Sequence, residues 1–160
     1  MSYCKLVSGQ YKKDSDVRTV VNYIADLRKS NYLVGGGNGI INAHDIHACP
    51  DFIAEQFLFV QDIRWCRGRR LYHVVVSFDT ILDEMNIMEI ENIAEKLITL
   101  YSDFQSVYVL HEDTRNLHLH ILFNNISLTN SKNLSNYINI MDILISVENS
   151  IELFKSAKKH

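Results

Sequence analysis

The chain has 160 residues, 47% of them hydrophobic and 22% charged, which is the composition of a folded domain with its own core. We therefore predict a single domain over residues 1–160. Its net charge of −3 excludes a bulk attraction to nucleic acid. No apolar run approaches the roughly 18 residues of a membrane span, and the polar start is not that of a signal peptide, so we expect a cytoplasmic protein.

The first half of the chain is predicted to hold one strand, two helices and a loop between the helices. Residues 3–8 favour a strand, and residues 16–29 carry apolar side chains at the 3.6-residue period of a helix. The glycines of residues 34–39 predict a loop, because glycine loses much conformational freedom in regular structure. Pro50 suits the first turn of a helix, which we place from Pro50 to about Asp62.

The second half is predicted to hold three strands and two helices. β-Branched and aromatic residues predict the strands, at residues 70–79, 106–110 and 117–124. Apolar side chains at helical spacing predict the helices, one beginning after Asn86 with a capping box and the other spanning residues 134–156. One face of the last helix carries Ile138, Met141, Leu144 and Ile145.

The order of these elements predicts the α+β class. The last two strands are joined by a short turn and are therefore antiparallel neighbours in one sheet. We expect an antiparallel β-sheet with helices packed on one face. The other face of such a sheet is left free for a flat or extended partner.

Three of the chain's seven histidines lie in the segment HEDTRNLHLHILFN, residues 111–124. Side chains alternate between the two faces of a strand, so His118 and His120 project together, about 6–7 Å apart. Their neighbours project to the opposite, buried face: Leu117, Leu119, Ile121 and Phe123. His111 ends the preceding strand, and the turn can bring it over the pair.

Three neutral imidazoles with open coordination positions would form a catalytic metal site rather than a structural one. Glu112 and Asp113 are expected to orient the imidazole N–H groups. The competing interpretation is a strand that carries surface histidines. The third histidine, the nearby carboxylate and Asn124 favour the metal site.

His73 and Ser77 are four residues apart in the strand predicted at residues 70–79, so they share one face. If this strand neighbours the histidine strand, both side chains point towards the same site. The Ser77 hydroxyl could then bond a phosphate oxygen. A polar residue at the end of a strand is the equally open alternative.

Two further features have two interpretations each. Tyr23 lies beside Val20 and Leu27, at the edge of the apolar stripe of its helix, which is typical of a core tyrosine with a solvated hydroxyl. The segment RWCRGRR concentrates positive charge in Arg64, Arg67, Arg69 and Arg70. This segment predicts either a local basic patch or a solvated loop.

Three segments together resemble the motifs of plasmid mobilisation relaxases of the MobA/MobL type, which are HUH endonucleases. HEDTRNLHLHILFN is similar to the family signature H-x-D-x₄-H-x-H-x₃-N. YHVVVSF resembles the family's histidine-led strand that ends in Ser-Phe, and VVNYIAD resembles its apolar helix with the nucleophilic tyrosine. The three segments occur in the family's order, and from the tyrosine of the first to the end of the last they span residues 23–124.

The resemblance implies metal-dependent, site- and strand-specific nicking and joining of DNA at an origin of transfer. By position, Tyr23 would attack the scissile phosphodiester to give a 5′-phosphotyrosyl intermediate and a free 3′-hydroxyl. The reverse reaction would reseal the strand. Ser77 and Asp113 would be further residues of the catalytic site, with Ser77 in contact with DNA near the nick.

The resemblance also implies a cofactor and the residues that hold it. A divalent ion would be bound by His111, His118 and His120. Mg²⁺ or Mn²⁺ is the expected ion, with Zn²⁺ as an alternative. We expect the ligands to be supported by a set of nearby polar residues, His73, Glu112, Asp113 and Asn124.

The implied partner is single-stranded DNA at an origin-of-transfer nick site. It would lie over the open sheet face, held by Arg67, Arg69 and Arg70. An accessory mobilisation protein is a possible second partner. Because relaxases are usually longer than this chain, we expect a minimal relaxase, a decayed one, or one domain of a larger protein.

Two alternatives stay open. One is a single-stranded DNA-binding module on the same fold that has lost turnover or never had it. The other is a HUH replication initiator or transposase, in which the tyrosine usually follows the histidine pair. In this chain that tyrosine would be Tyr137.

Overall fold

The structure is a computed structural model that describes residues 2–78 and 86–160, apart from the side chains of residues 31 and 32. Its strands are β1 (Tyr3–Leu6), β2 (Ser30–Gly36), β3 (Leu71–Phe78), β4 (Ser106–His111) and β5 (Leu117–Asn124). Its helices are α1 (Asp14–Ile24), α2 (Pro50–Ile63), α3 (Ile87–Leu100) and α4 (Ile140–Lys158), and short 3₁₀ turns occur at Ala43–Asp45 and Leu134–Asn136. Asp79, the last residue of the strand predicted at 70–79, lies outside the described residues.

The five strands form one antiparallel sheet in the order β1-β3-β5-β4-β2. β5 is at its centre, hydrogen-bonded to β3 on one side and to β4 on the other. β3 and β5 pair along their whole length, from Leu71 opposite Asn124 to Phe78 opposite Leu117. The predicted α+β class with an antiparallel sheet is confirmed.

α3 and α4 cover one face of the sheet and enclose the larger core. Leu119, Ile121 and Phe123 of β5 pack in this core, and each is at most 1% exposed. Full burial of such a side chain contributes roughly 1.5–3 kcal/mol. The predicted alternation along β5 is therefore confirmed, and its apolar side anchors the strand.

α1 and α2 lie on the opposite face, so the helices are divided between the two faces, whereas the sequence predicted them on one. The apolar stripe of α1, which includes Val20 and Ile24, is buried together with Val107 and Leu122 of the sheet. The physical reason is that this sheet face is itself apolar at one end. The apolar end of this face packs against the apolar side of α1, just as the other face of the sheet packs against α3 and α4. The histidines lie towards the other end of this face.

β2 lies directly after the predicted helix of residues 16–29 and includes residues 34–36 of the predicted loop. α1 ends at Ile24, and Ser30–Gly36 pairs with β4 at the edge of the sheet. Gly35 lies opposite Tyr108, and a Cβ on Gly35 would overlap the Tyr108 side chain. Glycine is required here by a close approach between neighbouring strands. Composition alone does not distinguish that requirement from a flexible loop.

α4 begins at Ile140, later than predicted, because the Asn139 side-chain oxygen accepts a hydrogen bond from the Met141 N–H at 2.8 Å and caps the helix. The face predicted from its apolar spacing is wrong, since Met141 and Ile145 are 55% and 52% exposed. The helix has apolar residues on both faces, so spacing alone selects the wrong one. Its buried side chains are Ile143, Val147, Ser150 and Ile151.

Candidate active site

An open cavity of about 620 Å³ lies between α1 and the part of the sheet face that carries the histidines. Strands β1, β3, β4 and β5 contribute to its floor, and residues of α1 form one wall. A tyrosine, a serine and four histidines stand out among its lining side chains: Tyr23, Ser77, His73, His111, His118 and His120.

The antiparallel register collects these side chains from three strands. His111 of β4 lies directly opposite His118 of β5, and Ser77 of β3 lies opposite His118 on the other side. His73 is four residues before Ser77 and shares its face. His73 and His120 are 47 residues apart in the chain, yet His73 Nε2 lies 2.9 Å from His120 Nδ1. Strand pairing therefore assembles a cluster that is dispersed in the sequence.

Tyr23 projects from the last turn of α1 over the histidine rings. Its ring centre is 5.8 Å from those of His111 and His120 and 6.4 Å from that of His73, edge-on in each case. The Lys29 ammonium group is 4.3 Å from the centre of the Tyr23 ring. Because Tyr23 is 44% exposed and lines the cavity, it is not the core tyrosine that its position in the helix stripe indicates.

The His111 ring is held by the end of α1. His111 Nε2–H donates to the carbonyl oxygen of Ile24 at 2.8 Å. A ring nitrogen that bonds a carbonyl carries the proton, so Nδ1 of neutral His111 keeps its lone pair. Since Ile24 follows Tyr23 in the chain, the same helix end positions both the tyrosine and this histidine.

His120 is held by a second series of hydrogen bonds. Tyr11 Oη lies 3.3 Å from His73 Nδ1, and His73 Nε2 lies 2.9 Å from His120 Nδ1. Only one proton fits between the two ring nitrogens, so the tautomers of His73 and His120 are coupled. When His120 Nδ1 carries the proton, its Nε2 keeps a lone pair. His118 is held separately, with Nδ1 lying 3.0 Å from Thr114 Oγ1.

Burial keeps the inner histidines of the cavity neutral near pH 7. Burial, reinforced by His111 and His73, lowers the pKa of His120 to about 2. Burial, reinforced by His111 and Lys5, lowers the pKa of His73 to about 4. Burial also lowers the pKa of His111, against the opposing effect of its hydrogen bond to Ile24. Neutral imidazoles can donate a lone pair to a metal ion or accept a proton.

The chemistry of this donor set fits a divalent cation. The hydrogen bonds described above use one ring nitrogen each of His111, His118 and His120, which leaves the second nitrogen of each ring as a donor atom. The ring centres are 4.1 Å apart for His111 and His120 and 6.4 Å apart for His118 and His120. Within residues 2–78 and 86–160, no three His, Cys, Asp or Glu side chains converge closely enough to hold an ion as they stand.

Comparison with known families identifies the kind of protein that carries this cavity. The family model described as relaxase, MobA/VirD2-like, nuclease domain, matches residues 23–153, which is most of the chain. The chain belongs to this relaxase family. The predicted resemblance is thereby confirmed, and relaxases of this family nick DNA, bind single-stranded DNA and generally use a divalent metal. A search of curated proteins gave no match.

None of the helices in the described parts of this relaxase chain has the length and apolar character needed to cross a membrane.

Two acidic residues of the relaxase motif lie in the turn between β4 and β5. Asp113 lines the cavity, and its carboxylate opposes the lowering of the His111 pKa that burial causes. The Glu112 side chain is exposed, and its backbone N–H donates to the Lys29 carbonyl at 2.7 Å. The hydrogen bonds that orient the three imidazoles come from a backbone carbonyl, a threonine and a histidine, where the sequence predicted Glu112 and Asp113.

Asn124 lies away from the cavity, at the opposite end of β5. Its buried side chain donates to Gln105 Oε1 at 2.8 Å and accepts from Gln61 Nε2 at 3.1 Å. Gln61 belongs to α2, so this amide network joins α2 to the sheet. The structure therefore does not bring Asn124 to the histidines, and the contacts of Asn124 support the packing of α2.

The arginines predicted to bind DNA lie beside the cavity and do not line it among the residues described. Arg70 Nη2 is 3.5 Å from Asp14, at the start of α1. The Arg69 guanidinium is 4.7 Å from the centre of the Tyr72 ring, and Arg67 is exposed. Arg70 is thus partly committed to the fold, whereas the exposed position of Arg67 suits contact with a ligand.

Sequence reasoning missed several residues around the cavity, among them Lys5, Tyr11 and Lys29. Lys5 lines it because β1 pairs with β3, which places Lys5 opposite Val75. Tyr11, in the loop before α1, lines it with a backbone φ of 40°. Lys29 reaches the Tyr23 ring from beyond α1. No local pattern marks these residues, because their positions depend on strand pairing and on the path of loops.

Tyr137, the alternative nucleophile, is not brought to the histidines. Its ring centre is 6.3 Å from that of Phe104 and 5.9 Å from Lys132 Nζ. Phe104 belongs to the core beneath α3 and α4, on the other side of the sheet. The structure brings Tyr23, and not Tyr137, to the cavity of this relaxase.

Proposed function

We propose that this relaxase domain nicks and rejoins one strand of DNA at an origin of transfer through a covalent 5′-phosphotyrosyl intermediate on Tyr23. The observation that carries the proposal is the position of the Tyr23 ring, whose centre is 5.8 Å from those of His111 and His120 in an open cavity. An accessible phenol beside neutral imidazoles has the groups that nucleophilic attack on phosphorus requires.

In this reaction, Tyr23 Oη attacks the scissile phosphorus in line with the leaving 3′ oxygen. The new tyrosyl O–P bond forms as the bond between phosphorus and the 3′ oxygen breaks. The phenol proton passes to solvent, and the released 3′ oxygen takes up a proton. Because the phosphotyrosine conserves the ester bond energy, the 3′-hydroxyl can attack it in reverse and reseal the strand.

Tyr11 and His73 would position His120 for this reaction. If His73 Nδ1–H donates to Tyr11 Oη, then His73 Nε2 accepts from His120 Nδ1–H. This direction of donation leaves the lone pair of His120 on Nε2. The two supporting side chains thus select the tautomer of His120 without contacting the DNA.

His111, His118 and His120 would hold the divalent cation, which we propose to be Mg²⁺ or Mn²⁺, with Zn²⁺ as an alternative. A bound cation would stabilise negative charge on the phosphate oxygens. The Lys29 ammonium group, 4.3 Å from the centre of the Tyr23 ring, adds positive charge at the same place. Asp113 at the cavity wall would support His111 electrostatically.

The DNA strand would enter the cavity with its phosphates over the sheet floor. Ser77, opposite His118 in the register, would donate its hydroxyl hydrogen to a phosphate oxygen near the nick. Lys5 lines the same floor, and Arg67 and Arg69 lie in the segment beyond Tyr11. The charge that meets the DNA is therefore local, which is compatible with a net charge of −3.

A labelled single-stranded oligonucleotide that carries an origin-of-transfer sequence tests the proposal. With Mn²⁺, the unmodified protein should form a covalent adduct that survives denaturing electrophoresis, and Tyr23→Phe should form none. Tyr137→Phe is a matched control, because Tyr137 is 47% exposed and Tyr23 is 44% exposed. It should retain the adduct.

An adduct of undiminished yield in Tyr23→Phe would overturn the assignment of the nucleophile. Loss of the adduct in Tyr137→Phe alone would instead support the replication-initiator order of motifs. The noncatalytic alternative predicts binding of the oligonucleotide without an adduct in any variant, the unmodified protein included.

A further inference from the structure

Trp65, the chain's one tryptophan, occupies an unfavourable place at the end of α2. Its backbone φ is 57°, in the left-handed region that favours glycine, and the residue is 75% exposed. The Trp65 N–H donates to Asp62 and the Cys66 N–H donates to Gln61, the hydrogen bonds of a helix end at which glycine is usual. Neither backbone conformation nor burial explains a tryptophan here.

The outward direction of the Trp65 side chain is set by the fold, because the residues on both sides are anchored. Cys66 is 7% exposed and packs in a small cluster with Ile126. Arg64 donates from its guanidinium to the Leu128 carbonyl at 2.5 Å. The indole is therefore held in solvent by a fixed stretch of backbone.

The residues that follow Trp65 lead to the nicking cavity. The Arg70 N–H donates to the Tyr11 carbonyl at 2.7 Å, and the Tyr11 side chain lines the cavity beside His73. Residues 65–70 thus form a continuous path, the 65–70 segment, from the exposed indole to the cavity rim at Tyr11.

The charged side chains of this path are all arginines, of which Arg70 also lies beside Asp14 of α1. From residue 64 to residue 70 the chain has four arginines and no acidic residue. Arg67 is exposed, and the Arg69 charge acts on the Tyr11 hydroxyl. Aromatic rings combined with nearby cations are how proteins hold single-stranded nucleic acid, since bases stack on the rings and phosphates meet the cations.

We propose that Trp65 is a stacking platform for a base of the single-stranded DNA that passes from the nicking cavity over Tyr11. In this arrangement Arg67 and Arg69 contact the phosphates of the same stretch of DNA. The proposal rests on the proposed function for the DNA partner, but it concerns a binding subsite outside the cavity. It explains why a strained, exposed tryptophan is held at the end of a basic segment.

Fluorescence of Trp65 measures this contact directly, because the chain has no other tryptophan. The measurement uses the Tyr23→Phe protein, so that no adduct forms, with a 20-nucleotide oligothymidylate as the probe and a duplex of the same length for comparison. The single strand should quench Trp65 fluorescence saturably, and the duplex should do so much less.

Variants separate stacking from stability, with affinity measured by the anisotropy of a labelled oligothymidylate. Trp65→Gly should bind about tenfold more weakly, because it loses one stacked base. Its melting temperature should be unchanged or higher, because glycine tolerates the positive φ. Trp65→Phe keeps a ring and should retain most of the affinity. Arg67→Ala should weaken binding. It should also reduce the slope of the logarithm of the binding constant against the logarithm of the salt concentration by the amount expected for about one phosphate contact.

Leu153→Ala is the matched control, since Leu153 is 61% exposed on α4, on the other side of the sheet. Its affinity should equal that of the parent protein. Unchanged affinity in Trp65→Gly, or DNA binding without any change in Trp65 fluorescence, would overturn the proposal. Either result would favour a protein partner for the exposed apolar side chains in and just after α2, which are Phe59, Ile63 and Trp65.

These outcomes are independent of the chemistry at Tyr23. Loss of stacking with a retained adduct in the unmodified protein would remove the Trp65 subsite and leave the proposed function intact. Stacking with no adduct would support the Trp65 subsite and reject the nicking reaction.

Discussion

The two ends of β5 present side chains to the same face of the sheet with different outcomes. At one end, His118 and His120 face an open cavity beneath α1. At the other end, Leu122 and Asn124 are fully buried beneath α2, where Asn124 joins an amide network. Alternation along a strand determines which face of the sheet a polar side chain lies on. The packing of the helix above it determines whether that side chain lines an open cavity or is buried and stabilises the fold.

The largest predicted difference between the two ends is in catalysis. His120→Asn keeps an N–H near the position of Nδ1, where it can donate to His73, and removes the Nε2 that faces the cavity. We expect the nicking rate to fall about 10²–10³-fold, as when one group that stabilises transition-state charge is removed. Single-turnover cleavage of a labelled oligonucleotide measures it. A rate equal to that of the unmodified protein would show that the histidine end is not the catalytic one.

The opposite end should carry stability instead. Asn124→Ala removes the side-chain donor to the buried Gln105 Oε1 and one of the two acceptors of Gln61 Nε2, so we expect the free energy of unfolding to fall by about 2–3 kcal/mol. The nicking rate per folded molecule should stay close to that of the unmodified protein. Urea unfolding and cleavage at saturating DNA give the two values. If the variant kept its stability but lost cleavage, Asn124 would have a role in the reaction, which is the role that the family motif implies.

The smallest predicted difference is in the response to acid. The pKa values of His73 and His120 are lowered from 6.5 to about 4 and about 2, so the unfolded chain binds protons below pH 6.5 that the folded chain does not. Their contribution is fully present above pH 6.5 and is lost as the pH falls. We expect the free energy of unfolding to decrease by about 1 kcal/mol from pH 7 to pH 6.

Urea unfolding of metal-free protein in a chelator checks this pH dependence. Asn124→Ala should keep the same dependence, because the amide network has no titratable group. His73→Gln should have a weaker one. A stability that is constant or rises as the pH falls would contradict the neutral state of the histidines.

The histidine face of β5 was predictable because a period of two is a local property of a strand. The family motif placed Asn124 near the histidines, and the structure places it at the other end of β5. Its spacing of four residues from His120, about 13 Å along a strand, already indicates this separation. Tyr11 and Lys5 reach the cavity through a loop and through the pairing of β1 with β3, which no sequence pattern specifies. Gly35 was predicted to lie in a loop for the same reason. Glycine is required at this position because of the Tyr108 side chain on another strand, which no local pattern shows.

The identity of the residue that becomes attached to DNA tests the central claim most directly. After reaction of the unmodified protein with an origin oligonucleotide and Mn²⁺, trypsin should release residues 19–28, a peptide that contains Tyr23 and no other tyrosine. We predict that mass spectrometry finds a 5′-phosphodeoxynucleotide on this peptide. Attachment at Tyr11 or Tyr137, or cleavage that leaves a free 5′ end and no protein adduct, would contradict the assignment of Tyr23.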